Sequence, residues 1–172
     1  MGILVFILTL YMGTGERVVA LARQFEGHIE TAHNRSPLID HWNQRLGVPL
    51  GSNYCGTFVA YILDEANVKK PTVRSGVARH YRTSESIDAR HVASGRAVAR
   101  EGYIVVWGRT GCWTGHVDFV SEWWVGRRGM AIGANVSPPG EESGGRGIGV
   151  FEKERTINPH AYFRIEYFTP VN

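Results

Sequence analysis

Apolar residues in the first third of the chain recur at helical spacing. Val18, Leu21, Ala22 and Phe25 share one face of a helix predicted over 16–26, with Thr14 as its cap and Gly27 as its stop. Ser36-Pro37 opens a second helix, a capping hydroxyl followed by proline at the first position. Leu38, Ile39, Trp42 and Leu46 form its stripe, and Gly47-Val48-Pro49 ends it. Gly51-Ser52-Asn53 reads as a turn ending in a capping side chain. After it, Phe58, Val59, Ile62, Leu63 and Ala66 mark the apolar face of a third helix that closes near Asn67 and carries Cys55 in its first turn. From 69 to 100, Pro71, Ser75-Gly76 and many Arg and Ser predict loop with one short helix over 77–81.

The period then changes. Tyr103-Ile104-Val105-Val106-Trp107 is β-rich and bounded by Gly102 and Gly108. Over 116–124, Val117, Phe119 and Ser121 point to one face and His116, Asp118 and Val120 to the other. Shorter strands are predicted over 130–135, 147–152 and 162–168, with a Pro- and Gly-rich loop over 137–145. Helices followed by strands imply an α+β fold, with the Cys55 helix packed on a mainly antiparallel five-stranded sheet.

Composition narrows the function classes. A chain of 172 residues, 43% hydrophobic and 20% charged, has the make-up of one soluble globular domain, here 15–172. Its formal charge of +3 and pI near 9.0 are too mild for nucleic-acid binding, and its Lys and Arg are scattered rather than clustered. Residues 1–14 contain an apolar run, Ile3 to Leu10, too short to span a bilayer as a straight helix. It resembles the core of a signal peptide without the basic n-region. Export, tethering to a membrane and a packed N-terminal helix all fit it; export is the expectation carried forward. Two cysteines, Cys55 and Cys112, exclude a disulfide framework.

The chemistry centres on Cys55. At a helix N-terminus, free backbone N–H groups and the helix dipole stabilise a thiolate. The alternative is a small buried apolar residue. A thiolate nucleophile needs a base, and the base needs a group to orient it. His116 follows the turn Gly111-Cys112-Trp113-Thr114-Gly115, at the mouth of a strand, and no other histidine has comparable surroundings. Two residues are candidates to orient it: Asn135, at the end of the following strand, and Asp118, two residues on and on the same sheet face.

These segments resemble the NlpC/P60 and CHAP superfamily of papain-like cysteine peptidases and amidases that cut bacterial peptidoglycan. Tyr54-Cys55-Gly56-Thr57-Phe58-Val59 is similar to the nucleophile segment. The strand pair that carries the base is matched by Tyr103-Ile104-Val105-Val106-Trp107 with Gly115-His116-Val117-Asp118-Phe119-Val120. Gly133-Ala134-Asn135 matches the third catalytic position. A helical lead, Glu30-Thr31-Ala32-His33-Asn34 before Leu38-Ile39-Asp40, is like that of a bacterial and phage branch. The resemblance implies a papain-like fold, Cys55 as nucleophile, His116 as general base and then acid, Asn135 as the orienting residue, and neither cofactor nor metal. It also implies peptidoglycan as the partner, reached by an exported, periplasmic or secreted enzyme. Such an enzyme would serve in lysis, in wall maintenance or as an antibacterial effector, the last travelling with an immunity protein. Asp118 departs from the family, which usually has a small residue there. Cys112 is also unusual; a Cys55–Cys112 disulfide would lock the nucleophile.

Two other readings remain at this point. One is a zinc hydrolase with Cys112, His116 and Asp118 as ligands, although no paired ligand motif accompanies them. The other is a non-catalytic wall-binding module using Trp113, Trp123 and Trp124. Adjacent Trp123 and Trp124 must face opposite sides of a strand, which places at least one in the core.

Overall fold

The computed structural model describes residues 12–111, 115–141, 147–161 and 164–172. Among the described residues three helices come first: α1 (Thr14–Arg23), α2 (Pro37–Arg45) and α3 (Cys55–Glu65). A short 3₁₀ turn (Ala78–Tyr81), strand β1 (Ile87–Asp88) and helix α4 (Ala89–Ala93) follow. The remaining strands are β2 (Ile104–Arg109), β3 (Gly115–Val120), β4 (Arg128–Val136), β5 (Gly149–Thr156) and β6 (Arg164–Thr169). They form one six-stranded sheet in the order β1-β6-β2-β3-β4-β5, with every pairing antiparallel. The α+β expectation and the antiparallel sheet are both met.

Among the described residues the sheet has six strands rather than five. The additional strand is the pair Ile87 and Asp88, which extends the sheet edge opposite Phe168 and Tyr167. Two residues cannot display an alternating pattern, so composition assigned them to loop. Asp88 also caps α4, accepting a hydrogen bond from the Arg90 N–H at 2.8 Å. Helix α1 starts earlier than its pattern suggests. Gly13 is the cap rather than Thr14, and the Glu16 carboxylate accepts from the Gly13 N–H at 3.0 Å. Ser36 caps α2 as expected, accepting from the Ile39 N–H at 3.1 Å with Pro37 at the first position. The strand expected over 116–124 ends at Val120, and Trp124 instead bridges to Ala99.

Alternation along the strands divides the core in two. Ile104, Val106, Val117, Phe119, Ile132 and Ala134 face α1 and α3 and pack against Val18, Phe58, Val59 and Ile62. Trp42 anchors this side, with Phe25 edge-on at 5.6 Å and Phe58 tilted at 5.1 Å between ring centroids. Val105, Val120, Ala131 and Phe168 face the other way and bury Trp124, Ala89 and Val92. Helix α3 therefore lies against one face of the central strands, with its N-terminus brought to the strand pair that carries His116.

Candidate active site

Helix α3 is apolar almost throughout because it is covered on nearly all sides; Cys55 to Ala60, Ile62 and Leu63 are all buried. Cys55 is its first residue, 5% exposed and a free thiol. The first-turn N–H groups have no partner inside the helix, as at every helix start. Asn53 is not the cap. That position belongs to Tyr54, with no side-chain cap hydrogen bond. The Thr57 hydroxyl lies 3.1 Å from the Tyr54 carbonyl and 2.8 Å from Asn43 Oδ1, tying the turn to α2. Small residues after the nucleophile have a packing reason. A side chain at Gly56 would run into the backbone of Ser75 and Gly76, and the Tyr81 hydroxyl donates to the Gly56 carbonyl at 2.9 Å.

The lead-in supports the same turn from behind. The buried Tyr54 hydroxyl donates to Glu30 Oε1 at 3.2 Å, and Glu30 Oε2 accepts from the Asn34 N–H at 2.9 Å. Burial, with the Glu30 carboxylate nearby, pushes the Tyr54 phenol far above its ordinary value, so it stays a neutral donor.

His116 is the second residue of β3, and its side chain is 23% exposed. Its Nε2 lies 2.6 Å from Asp118 Oδ1, an ion-pair contact in which the N–H points off the line to the oxygen. Cys55 lies close enough to the ring to act on it electrostatically. Burial alone would lower the pKa of the imidazole, but the Asp118 charge and the Cys55 contact outweigh it and push it up to about 9. The ring is therefore positively charged at neutral pH.

Asp118 is 1% exposed and sits between two cations. Its Oδ2 lies 3.1 Å from Arg155 Nε on β5. Burial alone would raise its carboxyl; His116, Arg155 and Lys153 overcome that and hold it below the usual carboxylate range. Gly133 makes the room. A methyl group on it would overlap Asp118 Oδ1, so the carboxylate lies directly across a strand position that has no side chain.

Asn135 occupies a different place. It sits at the irregularity of β4 between Ala134 and Val136, in the left-handed region with φ of 61°. Its Nδ2 donates to Asn53 Oδ1 at 3.1 Å. Asn135 thus ties β4 to the turn before Cys55, and no hydrogen bond joins it to His116. Of the two residues weighed for orienting the ring, the one in contact with it is Asp118.

His116 also lines a cleft of about 680 Å³, together with Trp107, Lys153, Arg155, Arg164 and Glu166. Sequence reasoning named Trp107 and Gly133 only as parts of matched segments, without their roles beside Asp118, and missed Arg155 altogether. An isolated glycine within a strand signals close approach and was the available clue to Gly133. Arg155 had none, since its charged neighbours Glu152, Lys153 and Glu154 resemble any solvated strand.

Cys112, the proposed disulfide partner and third zinc ligand, lies outside the described residues, as do Trp113 and the apolar run over 3–10. Among the described residues no three His, Cys, Asp or Glu side chains converge as a metal site, and no helix is long and apolar enough to cross a membrane. Trp124 is fully buried and Trp123 is 65% exposed, the opposition expected of neighbours in an extended segment. Compared with known proteins, the chain matches no family model, no curated protein and no solved structure.

Proposed function

We propose that this protein is a papain-like cysteine amidase or endopeptidase, of the NlpC/P60 and CHAP kind, that hydrolyses an amide bond in bacterial peptidoglycan. The observation that carries the reading is one group of neighbours: a buried thiol at a helix N-terminus, near enough to an imidazole to raise its pKa, and that imidazole held against a buried carboxylate. A thiol placed only for packing needs neither the imidazole nor the carboxylate.

In this reading the His116 imidazolium stabilises negative charge on the Cys55 sulfur. The sulfur pair attacks the amide carbon, and the C=O π pair moves onto oxygen. The Cys55 backbone N–H and a donor from the Asn53-Tyr54 turn hold that oxyanion. As the intermediate collapses, the C–N bond breaks and His116 protonates the departing amine, leaving a thioester. Now neutral, His116 takes a proton from water as it attacks the thioester carbon. Collapse of the second intermediate breaks the C–S bond and frees the acid. Asp118 keeps the ring in place throughout and favours its charged form.

The apolar N-terminal run is consistent with export to the wall, where lysis, maintenance and effector roles share the same chemistry. An effector would be paired with an immunity protein. The test is mass spectrometry of fragments released from purified peptidoglycan by wild type and by Cys55→Ala, under reducing conditions. Release by wild type alone supports the mechanism, and the fragment masses name the bond. If neither protein releases fragments, the hydrolase reading fails.

A further inference from the structure

We propose that Arg155 is a positioning residue for the Cys55–His116 pair, fixing the plane of the Asp118 carboxylate so that Oδ1 faces the imidazole. Its consequence for catalysis rests on the cysteine-hydrolase reading, but the placement can be tested without any substrate.

Rotation of a carboxylate about its last bond is soft, so one partner on one oxygen does not set its plane. Asp118 has a partner on each: His116 Nε2 at 2.6 Å from Oδ1 and Arg155 Nε at 3.1 Å from Oδ2. Arg155 is itself held. Its guanidinium lies 4.7 Å over the centre of the Trp107 ring, and the Trp107 indole N–H donates to the Thr156 carbonyl at 3.1 Å. The same indole faces the His116 ring at 5.8 Å. One tryptophan therefore backs both the imidazole and the guanidinium, with Asp118 in contact with both cations.

The groups facing Asp118 come from several elements. His116 is on its own strand, and Cys55 from α3 acts on the same ring. From β2 comes Trp107 and from β4 comes Gly133, neither of which titrates. From β5 come Arg155 and Lys153. Lys153 Nζ donates to the Ser137 carbonyl and hydroxyl at 3.1 and 3.0 Å, which leaves Arg155 as the β5 cation in contact with the carboxylate.

Arg155→Met and Arg155→Lys, made in the whole chain, test this through two readouts. The first is the NMR titration midpoint of His116. The second is the pH dependence of Cys55 alkylation by iodoacetamide, followed on the Cys55 peptide by mass spectrometry. In the Met variant the His116 midpoint should fall by about one unit or more from its wild-type value, and Cys55 alkylation near pH 6.5 should slow about tenfold. Lysine keeps the charge but loses the planar stack on Trp107, so it should fall between wild type and Met. An arginine acting only as a nearby charge gives the opposite sign, because removing a cation makes the imidazolium easier to form. A raised or unchanged midpoint in the Met variant overturns the proposal, and if that variant does not fold, an unchanged midpoint in the Lys variant does so. On peptidoglycan, kcat should fall about 10- to 100-fold with KM within about twofold. If wild type is inactive on peptidoglycan, the substrate reading fails while the midpoint still decides the role of Arg155.

Discussion

Replacing Asp118 by Asn removes one charge with almost no change of shape, at a position where two cations depend on it. At 2.6 Å and an effective dielectric of about 20, the attraction between His116 and Asp118 is about 6 kcal/mol before desolvation. Desolvation takes back several kcal/mol for each ion. The rise of the imidazole from its ordinary 6.5 to about 9 corresponds to about 3 kcal/mol favouring its charged form. Because the folded-state pKa lies above the unfolded one, that stabilisation is fully present below pH 6.5 and is lost as pH rises through 9. Asp118 has the opposite sign. Its depressed carboxyl contributes above the ordinary carboxylate value and is lost only in acid, as pH falls through its folded pKa. Wild type should therefore exceed Asp118→Asn in stability by about 3–5 kcal/mol at pH 6. By pH 10 the gap should narrow to what the Arg155 ion pair alone contributes. Urea unfolding of both proteins at the two pH values measures this directly. A gap that stays flat, or widens toward pH 10, refutes the account of His116 as an imidazolium held by Asp118.

Two further substitutions separate the residues around the ring. Gly133→Ala places a methyl group where Asp118 Oδ1 now lies, so the carboxylate must move. The variant should lose about 1–3 kcal/mol in chemical denaturation and, on the function proposed above, turn over peptidoglycan more slowly; wild-type stability and rate together would contradict this placement of Asp118. Asn135→Gly keeps the left-handed backbone at φ 61° while deleting the amide bonded to Asn53. Its His116 titration midpoint should stay within about half a unit of wild type. A fall of about two units would make Asn135 the orienting residue after all.

The legible parts of the fold are those whose cause is local. Ser36-Pro37 opens α2 because a capping hydroxyl and a proline act within one turn, and the structure carries that cap. Val117 and Phe119 face the helices while Val120 faces the second core, as period-two alternation requires. Cys55 lies in the first turn of α3 for the same kind of reason. The boundaries that moved depended on tertiary partners. Ile87 and Asp88 are a strand only because Phe168 and Tyr167 lie beside them, and Asn53 lost the cap position once its side chain paired with Asn135.

The candidate site divides in the same way. Sequence by itself determined the helix that presents Cys55, the strand that presents His116, and the fact that Asp118 shares the face of His116. Each of these follows from backbone periodicity over a few residues. Tertiary structure alone decided that Asp118 rather than Asn135 contacts the ring, that Gly133 leaves the space for it, and that Arg155 and Trp107 hold it. Those contacts run between β3 and the strands beside and beyond it, and they depend on register and twist, which place side chains to within a hydrogen bond's length and leave no periodic trace in the chain.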